Sequence, residues 1–197
     1  MAHSLTRSAA RACSRRLATT CVLTVGLVSI WIGPANSQAN VTRQEDIKAT
    51  FLYNFAKFVE WPQSSFVDAV VSFRIEIIGR DPFDGRLDQI VIGKRVHDKP
   101  IEIIHSLEGT YPGLVHIAFV SASEEKHLDS LLKTYRRHDV LTVSDIADFT
   151  RRGGMIGFVT EPGTVRFRFN QAAVEQSQLR VSSRLLALGV PPTKVGR

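Results

Sequence analysis

Apolar residues recur with two different periods between positions 47 and 188, and their alternation lays out the elements of an α/β domain. Ile47, Phe51, Phe55 and Phe58 fall on one stripe of a helix that Trp61-Pro62 stops, and Thr42 with Glu45 stands at its start in capping-box spacing. Phe73, Ile75 and Ile77 then alternate with Ser72, Arg74 and Glu76, the pattern of a strand with one buried and one solvated face. Beyond a turn at Asp81-Pro82, Leu87, Ile90 and Val91 predict a short helix ending near Gly93, and residues 101–104 predict a second strand. Residues 115–120 are almost continuously apolar, as a strand covered on both faces should be, and are the expected centre of the sheet.

Ser121 with Glu124 opens a helix whose Leu128, Leu131, Leu132 and Tyr135 share a face, and residues 140–143 follow as a strand. Residues 155–159 and 165–169 flank Pro162-Gly163, which suits a tight turn between antiparallel strands. Two short helices, near 171–178 and 183–188, precede Gly189 and Pro191-Pro192. The order predicts one three-layer α/β domain: a mostly parallel mixed sheet that ends in an antiparallel hairpin and is flanked by helices. No repeat or linker divides it; the eleven-residue spacing of His105, His116, His127 and His138 joins segments that share no other pattern.

The first 39 residues read as a separate unit. Arg7, Arg11, Arg15 and Arg16 precede an apolar run from 17 to 32, and Ser37-Gln38-Ala39 supplies small residues for cleavage after Ala39. A run of 16 residues is short for a bilayer span, and Cys21 precedes most of it, which does not fit a lipoprotein. We read residues 1–39 as a signal peptide and 40–197 as an exported domain, with general secretion favoured over a twin-arginine route. The formal net charge of +6 includes those four arginines, which leaves +2 for residues 40–197. That is too weak to indicate nucleic acid or an anionic membrane as partner. Both cysteines, Cys13 and Cys21, lie in the leader, so the exported domain carries no disulfide into an oxidising space.

No nucleophile elbow, phosphate loop, dinucleotide fingerprint or zinc-protease motif occurs, and neither an enzyme nor a bound cofactor is expected. Asp81 and Asp84 lack the rest of a calcium loop and read as turn residues; His116, inside the most apolar strand, reads as a hydrogen-bonded core histidine. No metal site is expected. Gly153-Gly154 and Gly157 read as a helix C-cap followed by a bulge, with close backbone approach as the alternative. Strand alternation places Val165, Phe167 and Phe169 toward the core and Arg166, Arg168 and Asn170 on the opposite face, where two guanidiniums can grip one anion. Arg184 would join them if the last helix folds back beside this strand.

Several phrases occur together: residues 47–62, Leu141-Thr-Val-Ser-Asp145, Gly153-Gly-Met-Ile-Gly-Phe158, the turn at Glu161-Pro-Gly-Thr164, Val165-Arg-Phe-Arg-Phe-Asn170 and Ser182-Ser-Arg-Leu-Leu-Ala-Leu188. In order and wording they resemble the YfiR family of small exported bacterial proteins. The resemblance implies a periplasmic, non-enzymatic repressor that contacts the periplasmic domain of a membrane diguanylate cyclase, lowering cyclic di-GMP and biofilm formation. It also allows a homodimer and a small anionic ligand. Relatives often carry cysteines in the exported domain, and this chain departs from them there. The competing expectations are a receptor that presents an anionic metabolite to a sensor kinase, and a hydrolase whose site is not legible. Cleavage after Ala39 predicts that N-terminal sequencing of periplasmic material finds Asn40 first; an intact Met1 in the inner membrane would refute the leader.

Overall fold

The computed structural model describes residues 35–66, 71–107, 115–136, 139–161 and 164–190. In chain order the strands are β1 (Val59–Glu60), β2 (Phe73–Ile78), β3 (Arg95–Val96), β4 (Lys99–Ser106), β5 (Ile117–Val120), β6 (Leu141–Ser144), β7 (Ile156–Glu161), β8 (Thr164–Phe169) and β9 (Arg180–Val181). The helices are α1 (Ala35–Phe58), α2 (Arg86–Val91), α3 (Leu128–Tyr135), α4 (Gln171–Glu175) and α5 (Ser183–Leu188). Seven strands form one sheet in the order β3-β4-β2-β5-β6-β7-β8, and β1 pairs with β9 in a small second one. The inner pairs are parallel, and β3 and β8 close the two edges antiparallel. The expected α/β architecture, hairpin ending and central β5 are all present.

One face of the sheet carries α1 and α2, the other α3. On the first face Leu52, Phe55 and Ala56 pack with Ile75, Ile77, Phe119, Val143, Phe158 and Phe167. The buried stripe of α1 runs through Ala49, Leu52, Phe55, Ala56 and Val59, rotated from the expected one. Ile47, Phe51 and Phe58 flank it half-buried, because the two alanines let the helix backbone approach the sheet closely. On the second face Ile78, Ala118 and Val120 meet the predicted stripe Leu128, Leu131, Leu132 and Tyr135 of α3.

Three expectations change. α1 is already helical at Ala35, so Thr42 is not its N-cap, and Glu45 bonds Lys48 at 3.0 Å instead of closing a capping box. The backbone of the last five expected leader residues belongs to this helix; residues 1–34 lie outside the described ones. The second side of β2 is largely covered: Glu76 is buried, because α3 there covers the side that alternation alone assigns to water, Ser72 is buried beside Glu102, and Arg74 stays half-buried. Glu76 there accepts hydrogen bonds from Tyr135 Oη at 2.5 Å and Ser106 Oγ at 2.7 Å. Burial and the adjacent Glu76 push the Tyr135 phenol far up, so it remains a donor. After Ser121 the chain makes a 3-10 run, Ala122–His127, before α3 begins, and Ser121 caps it with no side-chain bond.

Two buried polar groups hold α1, one at its middle and one beyond its end. At the middle Lys48 reaches Asp145, just past β6, at 2.9 Å and Glu45 at 3.0 Å. Burial opposes the Lys48 charge, but the two carboxylates outweigh it and hold its pKa above the ordinary lysine value. Beyond its end Trp61 Nε1 donates to the His116 carbonyl at 3.2 Å, and its ring stands edge-on to Phe73 at 5.0 Å. His116 is the expected core histidine: Nδ1 accepts from the Arg74 amide at 3.0 Å, which leaves Nε2 to donate to the Ser65 carbonyl at 3.2 Å.

Burial, assisted by the nearby Arg74, His97 and Lys99 charges, lowers the His116 pKa from 6.5 to about 4. The unfolded chain therefore binds the extra proton first, and this group's contribution to stability is intact above pH 6.5 and lost as pH falls toward 4. A shift of that size corresponds to about 3 kcal/mol. Urea unfolding of wild type and His116→Gln across pH 7.5 to 4 should show the wild-type advantage shrinking by that order, whereas a constant difference would mean that His116 charges freely in the fold.

Candidate functional site

The β7–β8 hairpin divides its side chains as alternation requires. Phe158 pairs with Phe167 on the core face, where the Phe167 ring meets Phe51 and Phe55 at 5.1 Å each. Gly157 pairs with Arg168 and Val159 with Arg166, so these four positions face the other way. α3 does not extend over them. Their cover is the segment after β6, residues 145–154, which folds as successive turns. No helix precedes Gly153, so the expected C-cap is corrected to a turn residue at φ 103°. Gly157 serves close approach: a Cβ there would stand 3.3 Å from Thr150 Cγ2, so a side chain would push this segment off the strand by a few tenths of an ångström. Phe149, buried beneath it, fills the space a Gly154 side chain would take.

Between these turns and the hairpin lies a cleft of about 470 Å³, lined by Ile146, Asp148, Phe149, Arg151, Arg168 and Phe169. A second recess of about 510 Å³ adjoins it through Thr150, Arg151 and Phe169 and reaches Leu186 and Val190. Arg168 Nε is buried and without a hydrogen-bond partner among the described residues. Arg166, on the same side of the strand, stands half-exposed outside this lining, 4.0 Å from Glu161. Arg151 Nε donates to Asp148 Oδ1 at 2.9 Å. An anion entering the cleft meets the Arg168 guanidinium, with Arg151 at the opposite wall, while Arg151 and Arg166 are partly neutralised by neighbouring carboxylates.

Asn170 has another task. Its Oδ1 accepts from the Ala173 amide at 3.1 Å, capping α4, and its Nδ2 donates to the Thr150 carbonyl at 2.9 Å. It ties the covering turns to the end of β8. Arg184 is exposed on α5, whose Leu185 packs into the first-face core. The end of α5 does run beside β8, where the Val190 amide donates to the Phe167 carbonyl at 2.8 Å, but no described contact joins Arg184 to Arg166 or Arg168. Arg151 takes the place foreseen for it. The doublet Arg151-Arg152 before two glycines was a signal, yet sequence alone does not tell which arginine faces the cleft; Arg152 turns away to Asp129 at 3.0 Å.

Elsewhere the turn reading of Asp81 holds, since its carboxylate accepts from the Phe83 amide at 2.8 Å and the Gly85 amide at 3.3 Å. Residues 45–190, which take in most of α1, the seven-stranded sheet and the segment that closes β8, match the YfiR/HmsC-like family. The chain belongs to that family. Its members are periplasmic regulators in diguanylate cyclase signalling, and a regulatory role in that pathway follows for this chain in general terms. A search of curated proteins found no match. Among the described residues no helix is long and apolar enough to cross a membrane.

The double role of Asn170 predicts that Asn170→Ala lowers stability by about 1 to 2 kcal/mol, through loss of the cap and of the Thr150 tie. Asn170→Asp, which keeps the capping oxygen and loses the donor, should fall between the two in thermal unfolding. Equal melting temperatures for all three proteins would deny the residue its structural role.

Proposed function

We propose that residues 40–197 act in the periplasm, after removal of residues 1–39, as a repressor of a membrane diguanylate cyclase that lowers cyclic di-GMP by contact with the cyclase's periplasmic domain. The observation that carries this reading is the family match from residue 45 to residue 190, which takes in every strand of the main sheet. The contact face we assign is the outer side of the β7–β8 hairpin, with Arg166 and Arg168 at its centre and Arg151 across the cleft. A partly buried guanidinium with no carboxylate partner gains a charge-assisted hydrogen bond when an acidic group arrives, worth about 1.5 to 3 kcal/mol. Arg184 is an outer contact of the same surface, since its helix borders the second recess through Leu186. Asn170 supports the face from within.

The concavity favours a second reading, that the same face takes a small anionic metabolite and passes its presence to a sensor kinase or another membrane system. A volume of about 470 Å³ lies in the range of small-molecule sites, and its mixed apolar and basic lining suits a carboxylate or phosphate compound. The two readings part in the cell.

With the cyclase present, a strain lacking this gene should show raised cyclic di-GMP, restored to normal by the wild-type gene and not by Arg166→Ala/Arg168→Ala. The purified double variant should fold normally and bind the cyclase's periplasmic domain at least about tenfold more weakly. Unchanged nucleotide in the deletion strain, with the cyclase expressed, would sink the regulatory reading. Wild-type affinity in the double variant would instead move the contact to another surface.

A further inference from the structure

We infer that the free edge of β4 is a docking site for an extended peptide segment of another protein, one that carries alternate apolar side chains and an acidic residue at one end. This does not rest on the cyclase reading. Each edge of the main sheet is covered over part of its length. On β8, the chain's own Val190 amide bonds the Phe167 carbonyl and the strand is covered there. On β4, the two-residue β3 pairs only with Lys99 and Pro100, and one further bond ties the Ile101 amide to the Lys94 carbonyl.

The ladder to β2 fixes which groups remain. Glu76 pairs with Ile104, and the Gly79 amide donates to the Ser106 carbonyl, so residues 102, 104 and 106 turn their backbone groups inward. The amides and carbonyls of Ile103 and His105 therefore point outward, and no backbone partner meets them among the described residues. An outward row of this kind is a template for an added strand.

The side chains around the edge fit such a guest. A groove of about 320 Å³ runs along it between the end of α2 and β4, lined by Asp88, Ile92, Lys94, Arg95, Ile101 and Ile103. Ile92 is 76% exposed and Leu107, just past the strand, 80% exposed, so two large apolar side chains stand in solvent at this edge. At one end Lys94 and Arg95 have no carboxylate partner among the described residues: Lys94 Nζ lies 4.2 Å from the Tyr53 ring centroid, and Arg95 donates to the Asp98 carbonyl. At the other, Asp88 Oδ2 is buried with no hydrogen-bond donor, His105 Nε2 standing 3.8 Å from it. An acidic residue answers the first end and a hydroxyl the second.

A second copy of this chain fits less well. A symmetric antiparallel pairing centred on Ile103 sets residue 107 of one copy against residue 99 of the other, where β3 already lies through its Val96–Lys99 pair. A single narrow strand meets no such obstacle.

The test uses residues 40–197 with the labelled peptide acetyl-Asp-Asp-Val-Thr-Val-Thr-amide as probe, followed by fluorescence polarisation and by residue-resolved amide exchange. Saturating peptide should slow exchange at Ile103 and His105 at least about tenfold while leaving the β7–β8 amides unchanged. Lys94→Glu/Arg95→Glu should weaken binding at least about fivefold at low ionic strength, and Ile92→Asp, an exposed change, should weaken it without altering the melting temperature. Binding that leaves the Ile103 and His105 amides unprotected would overturn the proposal, as would no binding. Protection of those amides that rises with protein concentration and needs no peptide would overturn it in favour of a second copy.

Discussion

The packing of α1 across the first face of the sheet is the interaction on which the rest of the structure depends. Phe55 lies 5.1 Å from Phe167 and 6.0 Å from Phe158, so one helix side chain fixes both strands of the hairpin at once. Because strand side chains alternate, seating Val165 and Phe167 in this core forces Arg166 and Arg168 to the opposite face. A one-residue slip in β8 would bury both guanidiniums under α1 and place the phenylalanines in the cleft. The aromatic contacts thus set the register, and the register sets the chemistry of the candidate site. The polar ties at the middle of α1 and beyond its end act together with these aromatic contacts. The Lys48 ion pairs adjoin the turns that roof the cleft, and the Trp61–His116 bond locks the far end to β2 and β5.

The sequence was legible where one periodicity decided the outcome. The order of elements, the central β5, the stripe of α3 and the two faces of β8 follow from period 3.6 or period 2 with no knowledge of neighbours. It was less legible where a second layer decides burial. Glu76 sits at a position that alternation gives to water, yet Tyr135 and Ser106, distant in sequence, turn it into a satisfied core group. The same holds for Lys48, whose partner Asp145 lies 97 residues away. Two-residue strands such as β1, β3 and β9 carry too few side chains for any period to show, and their pairing is set by the chain around them. For the site, strand alternation gave the pair Arg166 and Arg168. It could not give Arg151, which arrives on a turn segment positioned by Gly157 and Phe149, nor the use of Asn170 as a fastener.

Buried polarity in this protein is arranged for uniqueness more than for gross stability. An ion pair taken out of water gains little net free energy, because desolvation opposes the Coulomb term, but it penalises any packing that separates the partners. Lys48 with Glu45 and Asp145 penalises a rotation of α1. Tyr135 with Glu76 does the same for α3, and His116, bonded at both ring nitrogens, for the far end of the sheet. Arg168 stands outside this pattern. Its Nε is buried and no acceptor meets it among the described residues; the other buried polar atoms left without a partner there, on Glu45, Asp88 and Asp145, are all carboxylate oxygens. An unmet donor beside a concavity is what binding leaves open, since the missing acceptor then comes from outside.

The two surfaces singled out rely on different chemistry, and the edges of the sheet explain why. Val190 meets the outer side of β8 at Arg168 and occupies the Phe167 carbonyl, so that end of the hairpin presents a side-chain face, with charge as the means of selection. β4 is covered over only its first residues, so it can offer backbone groups that any extended chain satisfies equally well. Backbone pairing alone confers no selectivity, and a strand that relied on it would recruit any unfolded segment. Selectivity at β4 must therefore come from what surrounds the edge, and there the groove under α2, the Lys94–Arg95 end and the Asp88 carboxylate impose a spacing and a polarity. A regulator that must meet one partner and shed it again gains from keeping these modes apart, because a charged face and a strand edge respond differently to salt and can be engaged independently.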